Sequence, residues 1–143
     1  MVNSRNPQLN NISSRVENIL HEQIQKDDHL VLGLSGGVDS AVLLSILAPL
    51  SLKLRFKLTA FHVNHGFSPN SNEWEKFCLD LCSKNSIPAE IAKLKIKKLS
   101  GASLEASARD ARYQEFKNIK ADYVILAQHL DDQAETLLLQ MLR

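Results

Sequence analysis

Hydrophobic and polar residues alternate along the chain with a period that changes from segment to segment. Near the start, aliphatic side chains recur every three or four residues, at Ile12, Val16, Ile19, Leu20 and Ile24. This spacing predicts an amphipathic helix, because residues three and four positions apart share one helix face. The run HLVLGL that follows is almost continuously aliphatic, and it predicts a buried strand.

Later segments repeat this order of strand and helix. AVLLSILAPL predicts a helix that begins near Val38 and ends near Pro49, because proline interrupts an α-helix. FKLTAFHVN, AEIAKLKI and DYVILAQH predict three further strands, with helices around Trp74 and from Leu104 to Ile119 between them. The last segment, DDQAETLLLQMLR, predicts a final helix.

Strands that alternate with helices are typical of an α/β fold with a parallel sheet. The crossover helices of such a sheet cover both of its faces, so we expect a Rossmann-like arrangement. Three polar segments, GLSGGVDS, HVNHG and AQHLDD, directly follow predicted strands. Because the carboxyl ends of parallel strands lie at one edge of the sheet, these segments are expected to converge on one site.

The length and composition indicate one domain without a strong overall charge. The chain has 143 residues, of which 44% are hydrophobic, enough for a single core. Its 17 basic and 16 acidic residues give a net charge of +1, which excludes recruitment of nucleic acid by global charge. The polar start MVNSRNPQLNN lacks a secretory signal, and no run of about 18 apolar residues could span a bilayer. We therefore expect a cytoplasmic protein without membrane contact.

The two cysteines, Cys78 and Cys82, lie in the amphipathic stretch NEWEKFCLDLCSKN. Their spacing suits neither a disulfide framework nor a zinc knuckle, so packing within a helix is the favoured interpretation. Redox or metal chemistry at this pair is the less favoured alternative.

The segment GLSGGVDS has the composition of a phosphate-binding loop. It is not a Walker A loop, because the lysine is missing, and its glycines do not have the spacing of a dinucleotide fingerprint. Backbone N–H groups and the hydroxyls of Ser35 and Ser40 could hold an anion at the start of the helix near Val38. Such a neutral cradle suits a pyrophosphate that must leave, with Mg²⁺ near Asp39 compensating the charge. The alternative is an ordinary glycine turn.

SGGVDS after a first strand resembles the PP-loop of ATP pyrophosphatases, which cleave ATP between the α and β phosphates. Three further motifs, HVNHGFSPNSNEW, LEASARDARY and AQHLDDQAET, follow in an order and spacing similar to those of the tRNA(Ile)-lysidine synthetase family. The resemblance begins near Leu30 and covers nearly all of the chain that follows. It implies an adenine nucleotide alpha hydrolase-like domain, with ATP contacts from Ser35, Gly36, Gly37, Val38, Asp39 and Ser40.

That family joins lysine to C2 of the wobble cytidine of an isoleucine tRNA. ATP first adenylates the C2 oxygen, and the lysine amine then displaces AMP. The resemblance therefore implies a ligase of tRNA modification that forms a C–N bond and uses ATP, Mg²⁺, L-lysine and isoleucine tRNA. A cytosine carbonyl has no leaving group until AMP is attached, which is why cleavage to AMP and pyrophosphate is required.

Acidic residues near the end of the chain are candidates for catalysis. Asp132 and Glu135 are three positions apart in the predicted last helix, which places both carboxylates on one face, near Asp39 if the sheet order is as expected. Asp39 and Asp132 could hold Mg²⁺, and Asp132 and Glu135 could orient and deprotonate the lysine amine. Asp131 is better explained as a helix N-cap.

Two arginines are candidates for phosphate binding. Arg109 and Arg112 share a face of a predicted helix and could hold the α-phosphate or the tRNA backbone. The functional interpretation is favoured for Arg112, a candidate catalytic residue. A solvated helix face that pairs with Asp110 or Glu115 is the alternative.

Polar residues at the predicted strand ends could line an adenine and ribose pocket. His62, Asn64 and His65 surround the end of the second predicted strand, and His129 lies at the end of the last one. A metal pair formed by His62 and His65 is less favoured. A purely structural histidine is the other alternative, and it applies best to His62.

The limits of the chain raise two expectations. It stops at Arg143 inside a predicted helix, whereas members of the family are longer, so we expect residues 1–143 to be an N-terminal nucleotide-binding domain that is incomplete at its C-terminal end. The family's C-terminal tRNA-binding domains are absent, and isoleucine tRNA would bind through these missing regions.

Two alternative functions stay open, a PP-loop tRNA cytidine thiolase and a non-catalytic module that binds ATP or AMP. The oligomeric state is open as well, with a homodimer among the options.

Overall fold

The computed structural model describes residues 7–95, 103–129 and 137–142 of the chain. Within these ranges the helices are α1 (Pro7–Gln23), α2 (Val38–Leu54), α3 (Ser71–Lys84) and α4 (Leu104–Lys117). The strands are β1 (His29–Gly33), β2 (Lys57–Asn64), β3 (Ala89–Lys93), β4 (Tyr123–His129) and β5 (Leu137–Leu142). Of the helices that the structure describes, none has both the length and the apolar character that a bilayer span needs.

The strands form one sheet in the order β3-β2-β1-β4-β5. The strands from β1 to β4 are parallel, and β5 runs antiparallel to β4. The chain moves outward from β1 to β2 and β3, and α4 then connects β3 to the other side of β1. The winding direction therefore reverses between β1 and β4, which is the position at which open α/β sheets bind ligands.

Helices cover both faces of the sheet. On one face, α1, α2 and α3 pack against the aliphatic residues of β1 and β2, and Leu20, Leu32 and Leu44 are completely buried there. On the other face, α4 contributes Phe116, whose ring centroid lies 5.7 Å from that of Phe61. The predicted α/β fold, with a parallel sheet and helices on both faces, is confirmed.

Gly33 at the end of β1 allows α4 to approach the sheet closely. A Cβ atom at this position would lie 2.5 Å from Cδ2 of Leu126 and 2.8 Å from Cζ of Phe116. Any larger side chain would displace these groups, because protein interiors have no free space of that size. The close contact places α4 over the boundary between β1 and β4.

The prediction of a helix over residues 131–143 is wrong for the part that the structure describes. Residues Leu137–Leu142 form β5, which pairs with β4 along its whole length. The run LLLQML is too short for its periodicity to distinguish a strand from a helix. The free edge of β4 offers unpaired N–H and C=O groups, and pairing with them favours the strand.

The predicted end of α2 at Pro49 is also wrong. The helix continues to Leu54, with Pro49 inside it at an exposed position. Leu47 and Leu50, on either side of the proline, are buried in the core. Packing of this apolar helix therefore outweighs the local cost of an interior proline, which is about 3 kcal/mol.

Candidate functional site

The carboxyl ends of β1, β2 and β4 surround a cavity of about 470 Å³. Its volume is typical of a site for a small molecule. Six of the predicted site residues line it, namely Ser35, His62, Asn64, His65, Arg109 and Arg112. The structure therefore brings together side chains of the loop after β1, of β2 and of α4, which lie far apart in the sequence.

The loop after β1 is held by two serine hydroxyls. Oγ of Ser35 lies 3.0 Å from Oγ of Ser40. The backbone N–H of Ser35 donates to Oγ of Ser40, and that of Gly37 donates to Oγ of Ser35, both at 3.2 Å. The Ser40 hydroxyl donates to the carbonyl oxygen of Gly37 at 3.1 Å. The polar groups of the loop thus bond to one another across its opening.

The first turn of α2 continues this loop. Gly37 is the N-cap residue, and within the described residues no side chain caps the helix there. Gly36 has φ +87°, which favours glycine, and lies directly against Trp74. Asp39 is the acidic residue of the first turn and is partly buried, whereas Val38 is exposed. N–H groups at an uncapped helix start carry partial positive charge, which favours an anion beside them.

His62 lines the cavity with only 6% of its surface exposed. Its Nδ1 atom lies 2.7 Å from the carbonyl oxygen of Leu34. A carbonyl oxygen can only accept, so Nδ1 carries a proton and, in the neutral ring, Nε2 carries a lone pair. Sγ of Cys78 also approaches Nδ1, at 3.6 Å. His62 is therefore fixed in one orientation and in one tautomer.

The other ring nitrogen of His62, Nε2, has no hydrogen-bond partner among the described residues. Among the described residues, Nδ1 of His65 is the one side-chain nitrogen or oxygen atom that is inaccessible to solvent and has no hydrogen-bond partner. Nε2 of His62, which has no partner either, is therefore accessible to solvent. Because His62 lines the cavity, we infer that its accessible Nε2 atom faces the cavity.

Asn64 also lines the cavity, but its amide is engaged within the protein. Its Oδ1 accepts from the N–H of Gly66 at 3.0 Å, and its Nδ2 donates to Oε2 of Glu75 at 2.7 Å. The bond from Asn64, together with the charge of Lys93 at 3.5 Å, lowers the pKa of the Glu75 carboxyl. Asn64 therefore fixes the turn that carries His65. Glu75 was not identified from the sequence, because no motif marks a residue whose role is to hold another side chain.

The imidazole of His65 stacks on Phe67, with ring centroids 5.3 Å apart. Burial lowers the pKa of His65, and the charges of Arg112 and His62 lower it further. A histidine with a lowered pKa is neutral at pH 7. This residue therefore adds no positive charge to the cavity under neutral conditions.

The charged side chains that line the cavity are cationic. Arg109 is exposed and Arg112 is partly buried, and among the described residues no Asp or Glu side chain lines the cavity. Four rings of Phe, Trp and Tyr also line it, those of Phe61, Trp74, Tyr113 and Phe116. These residues are not among the site residues predicted from the sequence, because the hydrophobic pattern does not distinguish a core residue from a cavity wall. Guanidinium groups next to aromatic rings suit a ligand with both an anionic and a flat apolar part.

Cys78 and Cys82 are free thiols buried in the core. Burial, with the neighbouring Cys82 and Glu75, raises the pKa of Cys78 to about 11, and burial also raises the pKa of Cys82. The predicted packing role is confirmed by this burial. In the part of the chain that the structure describes, no cluster of His, Cys, Asp or Glu could by itself hold a metal ion.

The remaining predicted site residues belong to the end of the chain. Asp132 and Glu135, with Asp131 before them, lie outside the described residues. His129 is the last residue of β4, and the structure describes its backbone only. The predicted approach of Asp39 to Asp132 and Glu135 therefore stays a prediction.

Comparison with known proteins gives relatives of this chain. It is 53% identical over 124 residues to a tRNA(Ile)-lysidine synthase of Nitrosomonas europaea, a match that covers 87% of this chain and 27% of that protein. It is 43% identical over 113 residues to a tRNA(Ile)-lysidine synthase of Chromobacterium violaceum, covering 78% of this chain and 26% of that protein. The chain thus spans about a quarter of the length of these relatives.

Among solved structures, the U34-tRNA thiolase NcsA of Methanococcus maripaludis superimposes with a TM-score of 0.72. The match covers 87% of this chain and 46% of that chain at 18% sequence identity, so the likeness concerns the fold alone. A family profile described as PP-loop domain matches residues 8–143. With nearly its whole length matched, and with its glycine loop between β1 and α2 at the edge of the cavity, the chain belongs to the PP-loop domain family.

Proposed function

We propose that the chain is the ATP-binding domain of a cytoplasmic ligase that joins lysine to C2 of the wobble cytidine of an isoleucine tRNA. The names of the two relatives support this reaction. The observation that carries the proposal is the position of the loop after β1, whose Ser35 lines the same cavity as His62 and Arg112. In this reaction the C2 oxygen attacks the α-phosphate of ATP, pyrophosphate leaves, and the lysine amine then displaces AMP.

The loop from Ser35 to Ser40 would hold the leaving pyrophosphate. Its hydroxyl and N–H groups bond to one another, and phosphate oxygens could accept from the same donors without a net loss of hydrogen bonds. The glycines and Val38 bring further N–H groups to the start of α2, where the helix dipole favours an anion. Because the loop contains no lysine or arginine, it would hold pyrophosphate without a fixed positive charge that hinders its release.

The arginines and the polar residues of β2 would position the rest of the nucleotide. Arg112 would stabilise the negative charge that develops on the α-phosphate, with Arg109 beside it, because guanidinium groups pair with phosphate oxygens. His62 and His65 would line the pocket of the base and ribose together with His129. Asn64 would keep that pocket in shape through its bonds to Gly66 and Glu75.

Carboxylates would hold Mg²⁺ and the amino substrate. Asp39, in the first turn of α2, fits a metal position beside the phosphate loop, and Asp132 would be its second ligand. The ion supplies charge neutralisation at the phosphates. Asp132 and Glu135 would also orient the lysine amine, which is protonated at neutral pH and must lose that proton before it attacks.

A tRNA thiolase is the less favoured alternative. Such a reaction needs a reactive thiolate, whereas Cys78 and Cys82 are buried in the core with raised pKa values. The likeness to NcsA concerns the fold alone and does not favour thiolation. A module that binds ATP or AMP without further reaction is the second alternative, and the experiment that follows distinguishes it.

Product analysis tests the proposed reaction. A competent, intact version of the enzyme that contains residues 1–143 is incubated with ATP, Mg²⁺, L-lysine and isoleucine tRNA, and the nucleotide and nucleoside products are then separated. We expect AMP, pyrophosphate and lysidine. Thiocytidine would support the thiolase, and bound but unreacted nucleotide would support the non-catalytic module. ADP and orthophosphate as the primary products would contradict cleavage between the α and β phosphates.

A substitution tests the metal assignment separately. Asp39→Asn removes a charge but little volume, so it should weaken Mg²⁺-dependent ATP binding about tenfold and leave the fold intact. Asp110→Asn, at an exposed position of α4 outside the cavity, is the matched control. ATP titrations with Mg²⁺ and with EDTA give both affinities. Equal metal dependence in the two variants would exclude Asp39 as a ligand.

A further inference from the structure

His62 differs from the other polar residues of the cavity in how its two ring nitrogens are satisfied. Its Nδ1–H donates to the carbonyl oxygen of Leu34 at 2.7 Å, and the ring is almost completely buried. Its Nε2 atom is open to the cavity and has no partner in the described part of the chain. Water that reaches Nε2 through the cavity can bond to this acceptor, and a ligand that displaces the water loses affinity unless it donates a hydrogen bond in its place. Nε2 therefore marks the position at which a ligand would donate a hydrogen bond.

The charge of the cavity indicates which donor suits this position. Arg109 and Arg112 line the cavity, and no described carboxylate does. A cationic donor such as an ammonium group would meet like charges without compensation. A neutral N–H donor attached to a flat ring fits better, because Trp74 and Tyr113 supply aromatic walls. The amino group of a nucleobase has both properties.

We propose that His62 selects the base of the nucleotide, with its Nε2 atom accepting a hydrogen bond from the 6-amino group of adenine. This inference rests on the proposed function, since it places a nucleoside triphosphate in the cavity. Hypoxanthine has nearly the same shape as adenine but carries a carbonyl oxygen at C6, so two lone pairs would face each other. The cavity therefore prefers ATP to inosine triphosphate.

The affinities of the chain for ATP and inosine triphosphate test the proposal. Trp74, the single tryptophan of the sequence, lines the cavity, so its fluorescence reports binding. At about pH 8 we expect ATP to bind about tenfold more tightly than inosine triphosphate, the effect of one lost hydrogen bond. The triphosphate is common to both ligands, so its contribution cancels in the ratio.

Two substitutions of His62 separate the role of Nε2 from that of the fold. His62→Asn keeps a donor near the position of Nδ1, within reach of Leu34, but has no atom at the position of Nε2. Its affinity ratio should be close to one. His62→Gln offers an amide oxygen farther along the side chain and should restore part of the preference. His21→Asn, at an exposed position of α1, is the control and should behave like the unmodified chain.

The outcomes distinguish this proposal from the proposed function. Normal ATP binding with equal affinity for inosine triphosphate would overturn the role of His62 and leave the ATP site intact. A preference that persists in His62→Asn, with the fold verified by circular dichroism, would overturn it too. If neither nucleotide binds to the unmodified chain, both proposals fail. Lysine binding that depends on His62 would show that a cationic donor occupies this position, and it would also overturn the assignment to adenine.

Discussion

Two histidines at the end of β2 lie three positions apart and have different surroundings. His62 donates from Nδ1 to a backbone carbonyl, whereas Nδ1 of His65 is sealed without a partner among the described residues. His65 also lies near the positive charge of Arg112. A proton on such a ring would be poorly solvated and repelled by the guanidinium, so the neutral form is favoured.

The pKa of His65 is the first test at the scale of the residue. Burial is the main cause of its lowered pKa, and Arg112 is the second, so the midpoint of its NMR titration should lie below about 6.5, the usual value for histidine. Arg112→Gln should raise that midpoint because it removes a positive neighbour. Arg109→Gln is the matched control and should leave the midpoint unchanged, because Arg109 does not contribute to the shift.

The same shift has a consequence for stability. Below the unfolded pKa of about 6.5, the unfolded chain binds a proton at His65 that the folded chain resists. The free energy of unfolding should therefore fall as the pH decreases from that value through the folded pKa. A titration midpoint of His65 at or above the usual value would contradict both statements.

At the scale of the element, α3 connects the cavity to the core. Trp74 lines the cavity, Glu75 holds the amide of Asn64, and Cys78 approaches His62. Trp74, Cys78 and Cys82 are each four positions apart, so they follow one side of the helix. The residues that shape the cavity are therefore fixed by the same helix that fills the core beneath it.

The thiols of α3 give a test of this packing. Burial raises the pKa of Cys78 to about 11 from an ordinary value of 9.0, which lowers its thiolate fraction about a hundredfold near neutral pH. We expect Cys78 of the folded chain to react with a disulfide reagent at least about a hundredfold more slowly than in urea, and Cys82 to react more slowly as well. The unfolded chain is the internal control. Rapid labelling of two thiols in the native state would show that α3 does not pack as described.

The sequence predicts most elements of this fold because their signals are local. The strands around Val31 and Ile125 are short aliphatic runs, and the helix around Ala108 and Phe116 has a clear period. The end of α2 and the strand β5 were predicted wrongly because packing and a free sheet edge, which are not local, decide them.

The site, like the fold, has features with local sequence signals and features that depend on contacts between distant segments. The glycine loop and the strand ends are recognisable motifs, and their convergence follows from a parallel sheet. The bond from His62 to the Leu34 carbonyl and the bond from Asn64 to Glu75 join separate segments of the chain. Such contacts exist only after folding, so a sequence-based interpretation could not tell which side chains stay available to a ligand.

At the scale of the whole molecule, the cationic residues are nearly balanced by acidic ones. The chain has 17 basic and 16 acidic residues and a net charge of +1. RNA binding draws much of its affinity from phosphate neutralisation and counterion release. The arginines at the cavity, with the lysines of KLKIKK, offer only a few such contacts.

We therefore expect residues 1–143 to bind ATP but to bind tRNA poorly. Filter binding at physiological salt, with isoleucine tRNA and an unrelated tRNA as control, measures this directly. Complexes that make about six to ten phosphate contacts lose affinity steeply with salt, and this chain should show a shallow dependence. Tight binding that is selective for isoleucine tRNA would show that recognition lies within these residues.

The order of the strands also affects how the chain acquires its binding site during synthesis. β1 lies between β2 and β4, and the N–H of His29 bonds to Asp122, 93 positions later. As the chain leaves the ribosome, β1, β2 and β3 can pair before Leu126 and Ala127, which complete the cavity wall, have been made. A nucleotide cannot assist these early steps. It stabilises the protein only after β4 has docked, and nucleotide binding by a nascent chain would therefore report that the sheet is complete as far as β4.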